Sequence, residues 1–223
     1  MGVTGQLLAS ARALAHTFRN PALRRLQLAS AGSILGTFAY FVALYVYAFR
    51  QGGTNAVALV SVLQMLPAAV LSPFLATLAD RLPRRLVMLG ADLVRAALMV
   101  AAAVSIAADG PAWIVYAIVT AVQIASTTFG PAKAALLPLV ARTPGELTAA
   151  NVAGRTLEGA GGFIGPMIGG FLLAATNEQT VFAVNAASFV WSAVLVFGLR
   201  VDTATDLQAG EPEEAEKEES ERV

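Results

Sequence analysis

Six long runs of apolar residues follow one another along the chain, and short polar stretches separate them. A helix that crosses a bilayer needs about 20 mainly apolar residues, and each run has that length. The runs are apolar all round rather than along one stripe, which is typical of spans and not of surface helices. The pattern predicts six spans, at residues 26–49, 57–79, 86–107, 112–131, 156–175 and 180–199.

Composition supports this interpretation and excludes several functions. The chain is 57% hydrophobic and 13% charged, whereas soluble domains carry roughly 25% charged residues. It has no cysteine and a single histidine, His16, which lies before the first span. We therefore expect an all-α integral membrane protein that is not an enzyme, with no metal site, no cofactor and no nucleic-acid partner.

Basic residues lie in alternate connections, which gives the predicted orientation. Because cytoplasmic loops are rich in Lys and Arg, we expect both termini in the cytoplasm and a multi-pass protein of the cytoplasmic (inner) membrane. The opposite face has only Arg50. The predicted cytoplasmic bases are Arg12, Arg19, Arg24, Arg25, Arg81, Arg84, Arg85, Lys133, Arg142, Arg155 and Arg200.

The spans divide the chain into three parts: a cytoplasmic arm at 1–25, a bundle at 26–200, and an acidic cytoplasmic tail or linker at 201–223. The longest connection within the bundle covers 132–155. Its prolines and glycine predict short cytoplasmic helices, and Thr143 to Glu146 resembles a capping box.

A short basic loop, Asp80-Arg81-Leu82-Pro83-Arg84-Arg85, joins the second predicted span to the third. Its acid lies at a helix C-terminus and two of its arginines lie at a helix N-terminus, so each opposes the helix dipole. We therefore expect Asp80 to face an arginine. The candidates are Arg81, Arg84, Arg85 and Arg95. A generic cytoplasmic loop is the alternative.

Two opposite charges, Asp92 and Arg95, lie inside the third span at i,i+3 spacing, on one side of the helix. Charges within spans are rare, usually paired and often functional. A structural pair, snorkelling toward the cytoplasmic interface, and a direct conformational role are the three interpretations.

Glycines recur one turn apart in the fifth span, at Gly161, Gly165 and Gly169, and form a bare stripe that another helix can approach closely. Pro166 removes a backbone hydrogen bond and favours a kink. With Gly170 these residues predict a helix that is closely packed and bendable. Simple packing of small residues is the alternative.

Several polar side chains inside the spans are candidates for a cavity. Glu158 begins the fifth span, where it could exchange protons with a partly dry cavity or pair with Arg155. The hydroxyl and amide side chains serve either substrate contacts or helix packing. These are Ser33, Thr37, Tyr40, Gln123, Ser126 and Thr127.

At these residues the chain resembles the N-terminal half of a major facilitator superfamily transporter. The loop Ala76-x-x-x-Asp80-Arg81-x-Pro83-Arg84-Arg85 is similar to the signature G-x-x-x-D-R-x-G-R-R, with Ala76 and Pro83 replacing glycines. The string from Gly161 to Gly170 resembles the antiporter motif of proton-driven exporters. Segments 129–140, 150–151 and 185–189 are similar to the branch with enterobactin and macrolide exporters.

The resemblance implies one half of a twelve-span fold: six transmembrane helices arranged as two inverted three-helix repeats. It also implies a substrate cavity between two halves, and export coupled to proton entry through the motif of the fifth span. In such a transporter the basic loop acts as a conformational latch. The residues assigned to this latch are Asp80, Arg81, Arg84, Arg85, Asp92 and Arg95.

The expected function is proton-coupled efflux of a small molecule by an N-terminal half. Its expected partners are the lipid bilayer, a small-molecule substrate, and a second six-span half supplied by a homodimer or a separate chain. The alternative is a non-transporting membrane interaction protein, or an inactive fragment, that docks on another six-span half.

Overall fold

The computed structural model describes residues 20–80 and 82–199, without the side chains of residues 76–80. All regular structure in these ranges is helical, so the predicted all-α class is confirmed. Most of the predicted arm and the whole acidic tail lie outside them, although residues 21–25 belong to the first helix. The helices are α1 Pro21–Asp80, α2 Arg84–Ala107, α3 Ala112–Val140, α4 Pro144–Ala175 and α5 Glu178–Phe197.

By length and composition, five helices in the described ranges can cross a membrane. The first has 60 residues and would be about 90 Å long if it were continuous, three times the hydrocarbon thickness of a bilayer. Its backbone leaves helical geometry at Gly52 and at Gly53, where φ is 63° and ψ is −150°. We call residues 21–51 the first arm of α1 and residues 54–80 its second arm.

A hydrogen bond between the two arms shows that the chain turns back at these glycines. The Nε2 atom of Gln64 donates to the hydroxyl oxygen of Tyr40 at 2.9 Å, across 24 residues of sequence. In one straight helix those residues would be about 36 Å apart along the axis. The five helices therefore include one hairpin, whose turn lies within the predicted break at residues 51–55.

The prediction of a long connection at 132–155 is wrong. Helix α3 continues to Val140 and α4 begins at Pro144, so residues 141–143 alone join them. Pro131 and Pro138 lie inside α3 without ending it, because each removes one hydrogen bond while the neighbouring turns stay paired.

The predicted capping box forms in part. Thr143 caps α4, since its Oγ1 accepts a hydrogen bond from the backbone nitrogen of Glu146 at 3.2 Å. The carboxylate of Glu146 accepts from the backbone nitrogen of Arg142 at 2.9 Å, one residue before the cap. The short connection therefore starts α4 firmly even though it has few residues.

The helices form one bundle in which α1 packs against α3, α4 and α5, and α2 packs against α3 and α5. Two groups of buried apolar side chains fill it, one around Tyr40, Met99 and Phe182 and the other around Leu26 and Leu136. The bundle does not by itself establish the predicted inverted repeat, which stays a prediction.

Large apolar side chains also cover much of the outside of the bundle. On α4, Phe163 is 80% exposed, and Met167 and Phe171 follow on the same face. On the second arm of α1, Met65 and Phe74 are similarly exposed. Such a surface is unfavourable in water and suits lipid or another apolar helix.

On one side of the bundle, an ion pair joins the first arm of α1 to the start of α5. Arg50 donates to the carboxylate of Glu178, which is buried, whereas the Arg50 side chain is mostly exposed. Arg50 is the single basic residue that the sequence pattern assigns to the outer face. The pair connects residues 128 positions apart in sequence.

Candidate functional site

A cavity of about 280 Å³ lies between the first arm of α1 and α3, with contributions from α2 and α4. Its wall combines aromatic, hydroxyl, amide and charged groups, in contrast to the apolar outside of the bundle. The lining residues are Ser30, Ser33, Ile34, Thr37, Phe38, Phe41, Arg95, Gln123, Ser126, Phe129, Gly130, Lys133 and Glu158.

Four of the six polar residues predicted for a cavity line this one: Ser33 and Thr37 from α1, and Gln123 and Ser126 from α3. Tyr40 does not, because it is buried in the core against the rings of Phe41 and Phe182. The cavity thus brings together most of the predicted set, while their role in substrate binding stays a prediction.

Thr127 is the other predicted residue outside the lining. Its hydroxyl donates to the carbonyl oxygen of Ile124 at 2.7 Å. The Ser126 hydroxyl makes a similar bond to Val122 at 2.8 Å, so a hydroxyl in this part of α3 satisfies its donor within the helix whether or not it reaches the cavity.

Glu158 and Lys133 place one negative and one positive charge on the wall of the cavity. Among the residues that the structure describes, ion pairs within 4.0 Å join Arg50 to Glu178 and Asp92 to Arg95. Glu158 acts on Lys133 electrostatically without forming a direct pair of that length.

Lys133 is the charged residue of this cavity that the sequence reasoning missed. It was assigned to a cytoplasmic connection, and the continuation of α3 to Val140 carries it to the cavity instead. A signal was present in the sequence, because Gln123, Ser126, Gly130 and Lys133 recur at three- and four-residue spacing on one helical face.

Asp92 and Arg95 form a buried ion pair beside this cavity. Their side chains are 0% and 4% exposed, so the pair does not snorkel to the interface. The second carboxylate oxygen of Asp92 accepts a hydrogen bond from the hydroxyl of Ser192 at 2.7 Å. The pair thereby connects α2 to α5.

Aromatic rings cover the Arg95 guanidinium as well. Its central carbon lies 4.6 Å from the ring centre of Phe129 and 4.3 Å from that of Phe189. Both distances lie within the range of cation–π attraction. Arg95 is thus held by an ion pair and by rings of α3 and α5, as befits a junction between three helices.

The glycine stripe of α4 presses against the first arm of α1. A Cβ atom on Gly165 would lie 3.2 Å from the carbonyl oxygen of Leu35, and one on Gly169 would lie 2.8 Å from the Cα atom of Ala39. Gly161 meets the side chain of Ile34 in the same way. The stripe therefore brings two backbones together at one interface.

The latch residues of the basic loop fall partly outside the structural description. Arg81 is outside the described residues, as is the side chain of Asp80. Arg84 is buried, and its Nη1 atom donates to the carbonyl oxygen of Leu82 at 3.4 Å. The pairing expected for Asp80 stays a prediction.

Arg85 caps the end of α5. Its Nε atom donates to the carbonyl oxygen of Val196 at 3.3 Å and its Nη2 atom donates to that of Phe197. Arg25 donates to the carbonyl oxygen of Gly198 beside them. Cationic groups at a helix C-terminus satisfy free carbonyl groups and match the negative end of the dipole.

Residues 11–221 match the Major Facilitator Superfamily. The chain therefore belongs to this superfamily of transporters, and it is a multi-pass membrane protein with several long apolar helices.

Three curated relatives show the branch to which the chain is similar. It is 31% identical over 137 residues to an uncharacterised MFS-type transporter, YfiS, of Bacillus subtilis (61% of this chain, 32% of the relative). It is 25% identical over 158 residues to macrolide efflux protein A of Streptococcus pyogenes (70% and 39%). It is 26% identical over 155 residues to macrolide efflux protein A of Enterococcus faecalis (69% and 48%).

The predicted resemblance to this superfamily is confirmed, and the relatives at low identity include efflux proteins. The chain spans about a third to a half of the length of these relatives. No solved structure is significantly similar to it.

Proposed function

We propose that this chain acts as the N-terminal six-span half of an efflux transporter that exchanges a small molecule for protons across the cytoplasmic membrane. The observation that carries the proposal is the cavity between α1 and α3, because it places a carboxylate, hydroxyl groups and aromatic rings inside an apolar bundle. Polar groups in such a position serve a water-filled pathway or a ligand.

Six crossings follow if each arm of α1 crosses the bilayer once. The turn at Gly52 and Gly53 and the hydrogen bond between Gln64 and Tyr40 support this count. An even number of crossings also agrees with both termini in the cytoplasm, where the basic residues lie.

Transport by alternating access needs a second bundle that rocks against this one around a central site. The second six-span unit is either a further part of the same transporter or a second chain. The exposed apolar faces of α4 and the second arm of α1 are compatible with such a partner or with lipid. In this arrangement the basic loop at Asp80 acts as the latch between the two units.

Glu158 is the proposed proton carrier, since it is the one acid among the lining residues of this cavity. A substrate and a proton that compete for one carboxylate cannot occupy it together, which couples their movements in opposite directions. The macrolide efflux proteins among the relatives favour export of an organic molecule.

Reconstitution into proteoliposomes tests the proposal. The chain is purified, its oligomeric state is measured, and uptake of a radiolabelled macrolide and of ethidium is followed under an imposed pH gradient. We expect uptake from assemblies that contain two six-span units and none from monomers. Glu158→Gln should abolish the uptake that the pH gradient drives. Thr127→Val, which lies outside the cavity lining, should retain that uptake.

The outcomes separate the parts of the proposal. Uptake by a demonstrably monomeric form would show that no second unit is needed. Uptake that ignores the pH gradient would contradict proton exchange. If two-unit assemblies move neither probe, the protein is better described as a membrane interaction protein.

A further inference from the structure

The charged groups on the cavity wall differ in how firmly they are held. Arg95 is firmly held, because it pairs with Asp92 and its guanidinium packs against two aromatic rings. Within the described residues, neither Lys133 nor Glu158 has such a cage. They lie on neighbouring helices, line the same cavity and interact electrostatically. A lysine has a flexible four-carbon stem, so its ammonium group can move without a change in the backbone.

The Lys133 ammonium lies close to a glycine of α4. Its nitrogen lies 3.7 Å from where a Cβ atom on Gly154 would stand. Gly154 precedes Glu158 by four residues, which is one helical turn on the same face of α4. The ammonium therefore lies beside the backbone of α4, one helical turn before Glu158 in the sequence.

A second acceptor lies close to the same glycine. The Oε1 atom of Gln27 is 4.0 Å from that Cβ position on Gly154. Gln27 is buried, and its Nε2 atom donates to the carbonyl oxygen of Ala150 at 2.6 Å, which orients the amide. Within the described part of the chain, no group donates to this Oε1 atom. A buried acceptor without a donor is unfavourable, and an ammonium group would satisfy it.

We propose that Lys133 is an internal, movable counter-ion of Glu158, and that an organic cation entering the cavity displaces it toward the Oε1 atom of Gln27. The cation would take the carboxylate as its partner and rest on the rings of Phe38 and Phe41. Lys133 then competes with cationic ligands and sets how selective the cavity is for them. This inference rests on the proposed function and adds a specificity-determining residue to it.

The competition makes an unusual prediction for a binding-site residue: its removal should strengthen binding. If Lys133 neutralises Glu158 in about nine empty cavities of ten, Lys133→Met should lower the Kd for ethidium about tenfold. A residue that only supports the cavity would raise the Kd when replaced. Lys133→Arg keeps the charge and should stay within about threefold of the wild type by the same relation.

Ethidium binding to the full chain in detergent, followed by fluorescence, measures these effects. Glu158→Gln should weaken binding at least about tenfold, and adding Lys133→Met to it should change little. Gln27→Met should weaken ethidium binding when Lys133 is present. It should not weaken binding further in a protein that also carries Lys133→Met. Binding of the neutral dye Nile red should be unchanged by Lys133→Met. Thermal unfolding confirms folding, and Lys133→Gln replaces any Lys133→Met protein that does not fold.

Two results would overturn the inference: an ethidium Kd that is unchanged or raised in folded Lys133→Met and Lys133→Gln, or no ethidium binding by any variant. Either result would leave the proposed function intact if two-unit assemblies still transport a macrolide. Conversely, ethidium binding with the expected order of variants, but without transport, would remove the proposed function alone.

Discussion

The Asp92–Arg95 ion pair is almost completely buried in the bundle. Taking both groups out of water is costly, and the pair is favourable only where further hydrogen bonds complete it. Ser192 supplies such a bond to the carboxylate, and the rings of Phe129 and Phe189 supply attraction to the guanidinium. These contacts hold α2, α3 and α5 together at one junction.

Asp92→Asn should destabilise the protein by about 3–5 kcal/mol, because it leaves the Arg95 charge buried without its counter-ion. Thermal or chemical unfolding of the purified chain, followed by tryptophan fluorescence, measures the loss. Ser192→Ala is the matched control and should cost about 1 kcal/mol, since it removes one hydrogen bond. Equal losses in the two variants would show that the Arg95 charge finds another partner.

Helical spacing predicted that Asp92 and Arg95 can meet, because residues three apart share a face. It could not predict Ser192, which is 100 residues away in sequence, or the two rings. It also placed Tyr40 correctly on the inward side of α1 but could not distinguish the core from the cavity, since that depends on which helix lies opposite.

The glycine motif of α4 has two sides with different surroundings. Gly161, Gly165 and Gly169 are buried against the first arm of α1. A Cβ atom on Gly170 would meet nothing within 4 Å among the described residues. The close approach of the helices therefore depends on the three-glycine stripe and not on the whole string.

Gly169→Ala should destabilise the bundle by about 1–3 kcal/mol, because its methyl group would overlap the backbone of Ala39 and push two helices apart. Gly170→Ala, one residue on, should leave stability unchanged or slightly higher, since alanine favours helix more than glycine does. Thermal unfolding of the two variants in the same detergent gives the comparison. A loss of similar size for Gly170→Ala would mean that this face of α4 is covered as well.

The turn of α1 depends on a second glycine feature. Gly53 has φ of 63° and ψ of −150°, a region that is essentially restricted to glycine and costs other residues about 1–3 kcal/mol. Gly53→Ala should lower the unfolding temperature of the chain, whereas Gly90→Ala, at an open position in α2, should not. An unchanged unfolding temperature for Gly53→Ala would show that the turn can adopt another geometry.

Turn residues predicted the helix ends well at residues 51–55, 108–111 and 176–179, where glycine, asparagine or proline coincides with a drop in hydropathy. The same reasoning failed at 132–155. Pro138 lies within a helix whose remaining hydrogen bonds are intact, and a sequence pattern does not show whether a neighbouring helix supports such a turn.

The arrangement of the whole bundle in the membrane rests on the distribution of basic residues. Because the chain contains no cysteine, single cysteines introduced one at a time report which side each connection faces. Gln51, Asp109 and Arg142 are exposed and lie at or between helix ends. They therefore sample the turn of α1 and two further connections.

We expect a membrane-impermeant maleimide to label Gln51→Cys and Asp109→Cys in intact cells, and Arg142→Cys only after permeabilisation. The physical reason is that six crossings and cytoplasmic termini place the first two outside and the third inside. The cysteine-free wild type is the control for background. Protection of Gln51→Cys under both conditions would indicate that α1 does not turn at the membrane surface.

Composition and hydropathy were sufficient to predict a membrane bundle, and two motifs were sufficient to predict its superfamily. The sequence also indicated Ser33 and Glu158 as cavity candidates. It could not predict that Lys133 joins them, because the three residues come from three helices whose meeting depends on packing. How this bundle packs against a second one also depends on its outer surfaces. The sequence pattern shows only that these surfaces are apolar.

The ion pair between Arg50 and Glu178 has a consequence for biogenesis. In the proposed orientation, the turn of α1 reaches the outer side of the membrane early in synthesis. Arg50 is the one charged residue near that turn. Glu178 is made 128 residues later, so the arginine crosses the membrane before its partner exists. Closure of the outer end of the bundle therefore waits for the last helix, and a nascent chain that stops before α5 keeps an unmatched cation there.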